Sequence, residues 1–329
     1  MILVTGATGF LGRHVVDALV AAGKPARCLV RQRSRALGLA GVEQVLGSIE
    51  QADDVRAAVD GVAAVVHLAG VVSRDPADAT RMMRTHVDGT RTLLEAARGV
   101  GRVILASSSG TICVSREPEM RNEEHGFATD LVRGWPYYLS KIYQERLALD
   151  MKGGPPVVVV SPSLLLGPGD RRGSSTEDVL RFLRRQIPAV PPGGLSFVDV
   201  RDAAQAFVAA LDRGVPGERY LLGGANWTFA TFLARLSRLS KVPAPRLEVS
   251  APLARRAASV LEHLARWRGR APTVDRQSVE MSEYFWYVDS SKAERTLGFT
   301  ARDPEVTLLD TIRWLREHIL GQPDPLLVP

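Results

Sequence analysis

At 329 residues, with 45% hydrophobic and 24% charged residues, the chain has the make-up of a globular protein of one large or two modest domains, which excludes wholesale disorder. Two cysteines, Cys28 and Cys113, supply no disulfide framework and no metal-ligand cluster, and the nearly apolar stretch 62–72, broken by His67, falls far short of the roughly 20 residues of a membrane span. The net charge of +6 rests almost wholly on arginine, with no interleaved aromatic–basic module, so a nucleic acid is not the expected partner.

Met1 leads directly into Ile2-Leu3-Val4-Thr5, which reads as a strand rather than a secretion leader, so a cytoplasmic enzyme is expected. Gly6-Ala7-Thr8-Gly9-Phe10-Leu11-Gly12 follows at once and opens a helix predicted over 12–22. A glycine-rich turn between a first strand and a first helix lets a pyrophosphate approach the backbone, where the helix N-terminus offers N–H donors and a favourable dipole. The next strand, Ala26–Val30, runs into Arg31-Gln32-Arg33-Ser34-Arg35, with no carboxylate before Glu43. An acidic residue here holds the ribose hydroxyls of NAD, whereas an arginine accommodates the 2′-phosphate of NADP. Arg31, supported by Ser34 or Arg35, therefore favours NADP(H), with NAD(H) as the alternative.

Further strands are predicted at Val42–Leu46, 64–68, 103–107 and 157–161, alternating with helices over 53–59, 80–98 and 137–150. Continuous Val/Ile/Leu runs between helices are the signature of βαβ units, hence of an α/β, doubly wound parallel sheet. The run Ser107-Ser108-Ser109 lies at a strand's carboxyl edge, where ligands bind in such sheets; one serine would orient a substrate oxygen, Ser109 before Ser108. Tyr137 and Lys141 stand four apart at the start of a helix, on one face. A phenol with a pKa near ~10 is a poor proton carrier at neutral pH, and a neighbouring ammonium favours the phenolate. Arginine would hold its proton too firmly for that task.

After Pro162 the pattern loosens, with one basic helix over 176–185. Residues 1–162 form the dinucleotide-binding domain, and 196–224 are expected to return to it. Residues 163–195 and 225–329 make a smaller, mainly helical substrate domain. Trp227, Phe229, Phe232, Tyr284, Phe285, Trp286 and Tyr287 offer aromatic surface there, most of it expected in the core. Residues 251–270 carry a basic amphipathic pattern that is expected to pack on the substrate domain or form a lid, with membrane-surface contact the lesser reading.

With these residues in hand, the chain resembles the extended short-chain dehydrogenase/reductases, the NAD-dependent epimerase/dehydratase superfamily. The resemblance covers most of the chain: the turn at Thr5–Gly12, HLAG at His67–Gly70, VDGT at Val87–Thr90, Ser107–Ser109, YYLSK at Tyr137–Lys141, SPSLLLGPGD at Ser161–Asp170, FVDVRDAAQAF at Phe197–Phe207 and SKAERTLGF at Ser291–Phe299. Within it, the similarity is greatest to the dihydroflavonol-4-reductase-like branch and the hopanoid-associated sugar epimerases. The resemblance implies Tyr137 as acid/base, Lys141 as its tuner, and Ser109 or Ser108 as the orienting hydroxyl. It also implies a cofactor lined by Ser48, Ile49, Leu68, Ala69, Gly70 and Ser107, with the Pro162–Ser163 backbone at the nicotinamide. Three positions depart from the family pattern: Ser48 where an Asp is common, His86 where an Asn is common, and Ser161 where an Arg is common.

Two enzymatic readings follow: NADPH-dependent reduction of a ketone on a bulky, partly apolar molecule, and NAD-dependent epimerisation or dehydration of a nucleotide-sugar. The arginines after the second strand favour the first. A non-catalytic NADP-sensing protein is the third reading, disfavoured by the presence of both Tyr137 and Lys141. Family members often dimerise through the helices over 80–98 and 137–150, so a homodimer is an expectation by analogy.

Overall fold

The computed structural model describes residues 1–247, 256 and 276–322; apart from the exposed Arg256, the basic stretch 251–270 lies outside the described residues. The strands, in chain order, are β1 (Ile2–Thr5), β2 (Ala26–Val30), β3 (Val42–Leu46), β4 (Ala64–His67), β5 (Arg102–Ala106), β6 (Val157–Pro162), β7 (Leu164–Leu166), β8 (Gly194–Asp199), β9 (Arg219–Leu222) and β10 (Ala225–Thr228). Seven of them form one parallel sheet in the order β3-β2-β1-β4-β5-β6-β9. The order reverses between β1 and β4, and the crevice at such a reversal is where ligands bind in open α/β sheets.

The helices relevant here are α1 (Phe10–Ala21), α2 (Ala52–Val59), α3 (Ala79–Met83), α4 (Gly89–Ala96), α5 (Thr129–Val132), α6 (Pro136–Asp150), α7 (Glu177–Leu183), α8 (Val200–Arg213) and α9 (Phe229–Ser240). Successive strand residues point to opposite faces, and each face has its own core. Ile2, Val4, Val66, Ile104, Val158 and Val160 pack beneath α1 and α8. Leu3, Val65, Val103, Leu105, Val157 and Val159 pack beneath α2, α4 and α6. Each fully buried Val, Leu or Ile contributes about 1.5–3 kcal/mol. This double coverage explains why the strands read as unbroken apolar runs.

Two boundaries differ from the sequence reading. The single helix expected over 80–98 is divided into α3, a π turn at Arg84–Asp88, and α4. A π turn inserts one extra residue into the winding, and here it lets Thr85 and His86 both face inward, as Gly89 and Thr90 do a turn later. The second difference concerns the return to the large sheet. β8 pairs with β7 and β10 in a separate three-stranded sheet, so the return begins at α8 and is completed by β9. The small sheet packs with α7, α9 and helix Pro304–Leu315 around Phe182, Phe197, Phe232 and Trp314. The smaller lobe thus carries a sheet as well as helices.

Candidate active site

The glycine turn sits at the point where strand order reverses. Gly6 has φ +71°, and a Cβ there would lie 2.6 Å from the Leu68 carbonyl carbon, so only glycine fits between β1 and the segment after β4. A Cβ on Gly12 would collide with the Gly6 carbonyl. Gly9 caps α1 with no side-chain hydrogen bond, and among the described residues no side chain accepts from the first N–H groups of the helix, beside the exposed Thr8 and the half-buried Phe10 and Leu11. Backbone cradle, open donors and helix dipole together fit a dinucleotide pyrophosphate.

On the far side of the turn, Leu68 N–H donates to the Thr5 carbonyl at 3.1 Å and Ala69 N–H to Thr5 Oγ at 3.2 Å, which fixes the approach to Gly70. Arg31 and Arg35 are exposed after β2, with Ser34 half-buried between them. At the end of β3, Ser48 N–H donates to Asp54 Oδ2 at 2.8 Å, and Ile49 is buried. A carboxylate therefore does reach this turn, from six residues further along the chain, where the sequence reading found only Ser48. Pro162 lies in the sheet, and Ser163 N–H donates to the Leu222 carbonyl at 2.8 Å. The Oγ atoms of Ser161 and Ser163 are buried without a partner among the described residues.

α6 starts on Pro136 at its first turn, with the buried Trp135 as its cap residue. Ser108 lies beside the Tyr137 phenol; burial pushes the phenol above its ordinary range, the neighbouring Tyr138 adds to that, and Ser108 pulls it back. Among the described residues, Ser108 is the one serine of the three that acts on the Tyr137 phenol. Ser107 donates to the fully buried Glu145 carboxyl, and Ser109 sits in a tight turn with its carbonyl accepting from Ile112 and Cys113. The sequence reading put Ser109 before Ser108, and the surroundings of the three serines favour the reverse order: the chain leaves the strand here, and strict alternation ends with it.

Lys141 is buried and donates to the Ala106 carbonyl and to Gln144 Oε1, both at 2.9 Å. Burial lowers its pKa to about 8, and Glu145 opposes that shift. The helix turn places Lys141 near Tyr137, but its described hydrogen bonds go elsewhere. Gln144 Nε2 donates in turn to Thr90 Oγ at 2.8 Å, and Thr90 meets His67 Nε2 at 2.9 Å. His67 Nδ1 lies 2.6 Å from Thr5 Oγ, so a buried chain of polar contacts joins Lys141 to the residue before the glycine turn.

His86 holds the other side. Its Nε2 accepts from Val71 N–H at 3.0 Å, so the proton sits on Nδ1, which meets Ser140 Oγ at 2.8 Å. Ser140 then donates to the Tyr137 carbonyl at 2.7 Å. Burial, with Lys141 and His67 adding, drives the His86 pKa well below the ordinary value, and the ring packs edge-on against Tyr137 at 5.9 Å. This chain thus uses an imidazole to tie the segment after Gly70 to the first turn of α6.

The opposite wall is aromatic. Trp286 lies 5.0 Å from Tyr138, and a Cβ on Gly110 would collide with Tyr138, so Gly110 is the floor on which that ring rests. Trp135 and Tyr284 back this pair as buried core, whereas Trp227 and Phe232 pack on Phe197 inside the smaller lobe. Arg74, from the segment after β4, forms a bidentate pair with Asp178 of α7 at 2.7 and 3.2 Å and reaches Ser278 at 3.3 Å, joining the two lobes beside Tyr138.

Comparison with known proteins agrees with this geometry. Residues 2–223 match the family model described as the NAD dependent epimerase/dehydratase family. A Synechocystis sp. protein provisionally named dihydroflavonol 4-reductase is 34% identical over 96% of this chain and 94% of its own length. Sterol demethylase protein B of Methylococcus capsulatus is 32% identical over 96% of this chain and 98% of its own. The solved structure of gox2253 superposes with a TM-score of 0.83 at 31% identity, covering 98% of this chain and 99% of that one. The chain accordingly belongs to the NAD dependent epimerase/dehydratase family and is an NAD(P)-dependent oxidoreductase of the short-chain dehydrogenase/reductase type.

Proposed function

We propose that this enzyme reduces a ketone on a bulky, partly apolar small molecule with NADPH, Tyr137 supplying the proton. The observation that carries the reading is the Tyr137–Ser108 hydroxyl pair at the carboxyl edge of the sheet, faced by the Tyr138–Trp286 wall. Bound NADPH supplies the hydride. Ser108 holds the carbonyl oxygen beside Tyr137, whose phenol gives its proton to the forming alkoxide. Lys141, charged below pH about 8, favours the phenolate that remains. Arg31 and Arg35, with Ser34, are suited to the 2′-phosphate. The relatives named for a flavonol reductase and a sterol-processing protein support a ring-bearing apolar substrate.

The test has two parts. Nucleotide-stripped protein, titrated by fluorescence, is expected to bind NADPH at least tenfold more tightly than NADH. NADPH oxidation is then followed at 340 nm with fused-ring and aryl ketones, with UDP-glucose as the competing class. Tyr137→Phe is expected to lower turnover about 10³-fold. Full turnover by that variant, or activity confined to the nucleotide-sugar, overturns the reading.

A further inference from the structure

We propose that Gln44 is a positioning residue that sets the preference for NADPH over NADH, by holding the arginine-bearing turn after β2 in one shape. The inference rests on the NADPH reading above. β3 is the edge strand of the large sheet, and its parallel register sets Gln44 beside Cys28 of β2, two residues before that strand ends. From there the Gln44 carboxamide makes two hydrogen bonds to a single residue. Its Oε1 accepts from Ser34 N–H at 2.8 Å, and its Nε2 donates to the Ser34 carbonyl at 3.0 Å. This is the donor–acceptor pair that a neighbouring peptide offers in a sheet ladder, supplied here by a side chain where the backbone has left the sheet.

The same turn is anchored from its other end. The Ser34 carbonyl also accepts from Leu37 N–H at 3.1 Å, and Leu37 is 1% exposed, inserted into the core beneath α1. Ser34 is thus clamped between Gln44 and a buried leucine. Around it Arg31, Arg33 and Arg35 are exposed, and none forms a salt bridge among the described residues. The nearest carboxylate along the chain, Glu43, is taken by Arg27 at 2.8 Å, and adjacent strand residues point to opposite faces. Three guanidinium groups of one sign repel each other and would spread a loose turn. A turn held at Ser34 keeps them grouped, so a dianion meets a formed site instead of paying to assemble one.

The 2′-phosphate is the only group that distinguishes NADPH from NADH, and the pinned turn carries the arginines suited to it. Loss of Gln44 should therefore act on one cofactor and spare the other. The experiment is a fluorescence titration of wild type, Gln44→Ala and Arg31→Ala with NADPH and, separately, NADH. Gln44→Ala is expected to weaken NADPH binding about 5- to 20-fold and to leave NADH within twofold, with Arg31→Ala shifting the same way. Retained NADH binding also reports that the variant is folded. If Gln44→Ala weakens both cofactors equally, or neither, while wild type prefers NADPH, Gln44 has no such role and the NADPH reading stands. If wild type itself shows no preference for NADPH, both fall together.

Discussion

Three adjacent serines end in three different environments, and this is where residue-scale chemistry is decided. Ser107 serves Glu145, Ser108 meets Tyr137, and Ser109 begins a tight turn. With the ketone that first gives turnover, Ser108→Ala is expected to lower kcat about 100-fold, the cost of removing one donor at a developing oxyanion, while Ser109→Ala stays within about threefold. Equal losses in the two variants would reject the assignment to Ser108. Tyr137, Lys141 and the glycine turn were legible because each is a short-range pattern whose spacing alone states its geometry. Gln44, Gln144 and the role of His86 were not. Their partners lie 10, 54 and 54 residues away along the chain and meet only after folding. His86 showed in the sequence only as a departure from a family habit, and Asp54 not at all, because its carboxylate reaches Ser48 across a turn.

At the scale of elements, the π turn and α6 set which side chains of this layer reach the interior. Helix periodicity predicted one rod over 80–98 correctly in kind, but an inserted residue leaves no mark in composition, and the π turn became visible only through which side chains it buries. The same rods have an outer side. Met83, Val87 and Arg91 face Tyr143, Arg146, Leu147, Asp150 and Met151 across a groove of about 480 Å³. Met83 and Tyr143 are exposed apolar side chains there, and Asp150 stands in the same groove as Arg91 and Arg146, so two copies related by a twofold axis could pair opposite charges around an apolar centre. We propose a homodimer through this face, consistent with the family resemblance. Sedimentation equilibrium is expected to give twice the chain mass for wild type and the monomer mass for Leu147→Arg. A monomeric wild type at micromolar concentration would remove the proposal.

Across the whole molecule, the polar interior beneath the site sets how the fold responds to acid. His67 is fully enclosed, and burial, with Lys141 adding, lowers its pKa from 6.5 to about 3. Between those two values the unfolded chain binds a proton that the folded chain refuses, so stability falls as pH drops from about 6.5 toward 3 and is complete above that window. His86 acts in the same direction. Glu145 and Glu123 act in the opposite one: burial raises both, so protonation on acidification relieves part of their cost. The net slope mixes these groups, but the difference between wild type and His67→Gln isolates one imidazole. Glutamine keeps a donor and an acceptor between Thr5 and Thr90 without a titrating proton. Urea unfolding at pH 7 should show a constant offset from the altered hydrogen bonds. By pH 4 the gap between the two proteins should have moved by about 3 kcal/mol in favour of the variant, the linkage expected for roughly 2.5 pH units inside the window. Parallel curves from pH 7 to pH 4 would mean that His67 titrates alike in both states, and that the contacts joining Lys141 to Thr5 do not hold it neutral.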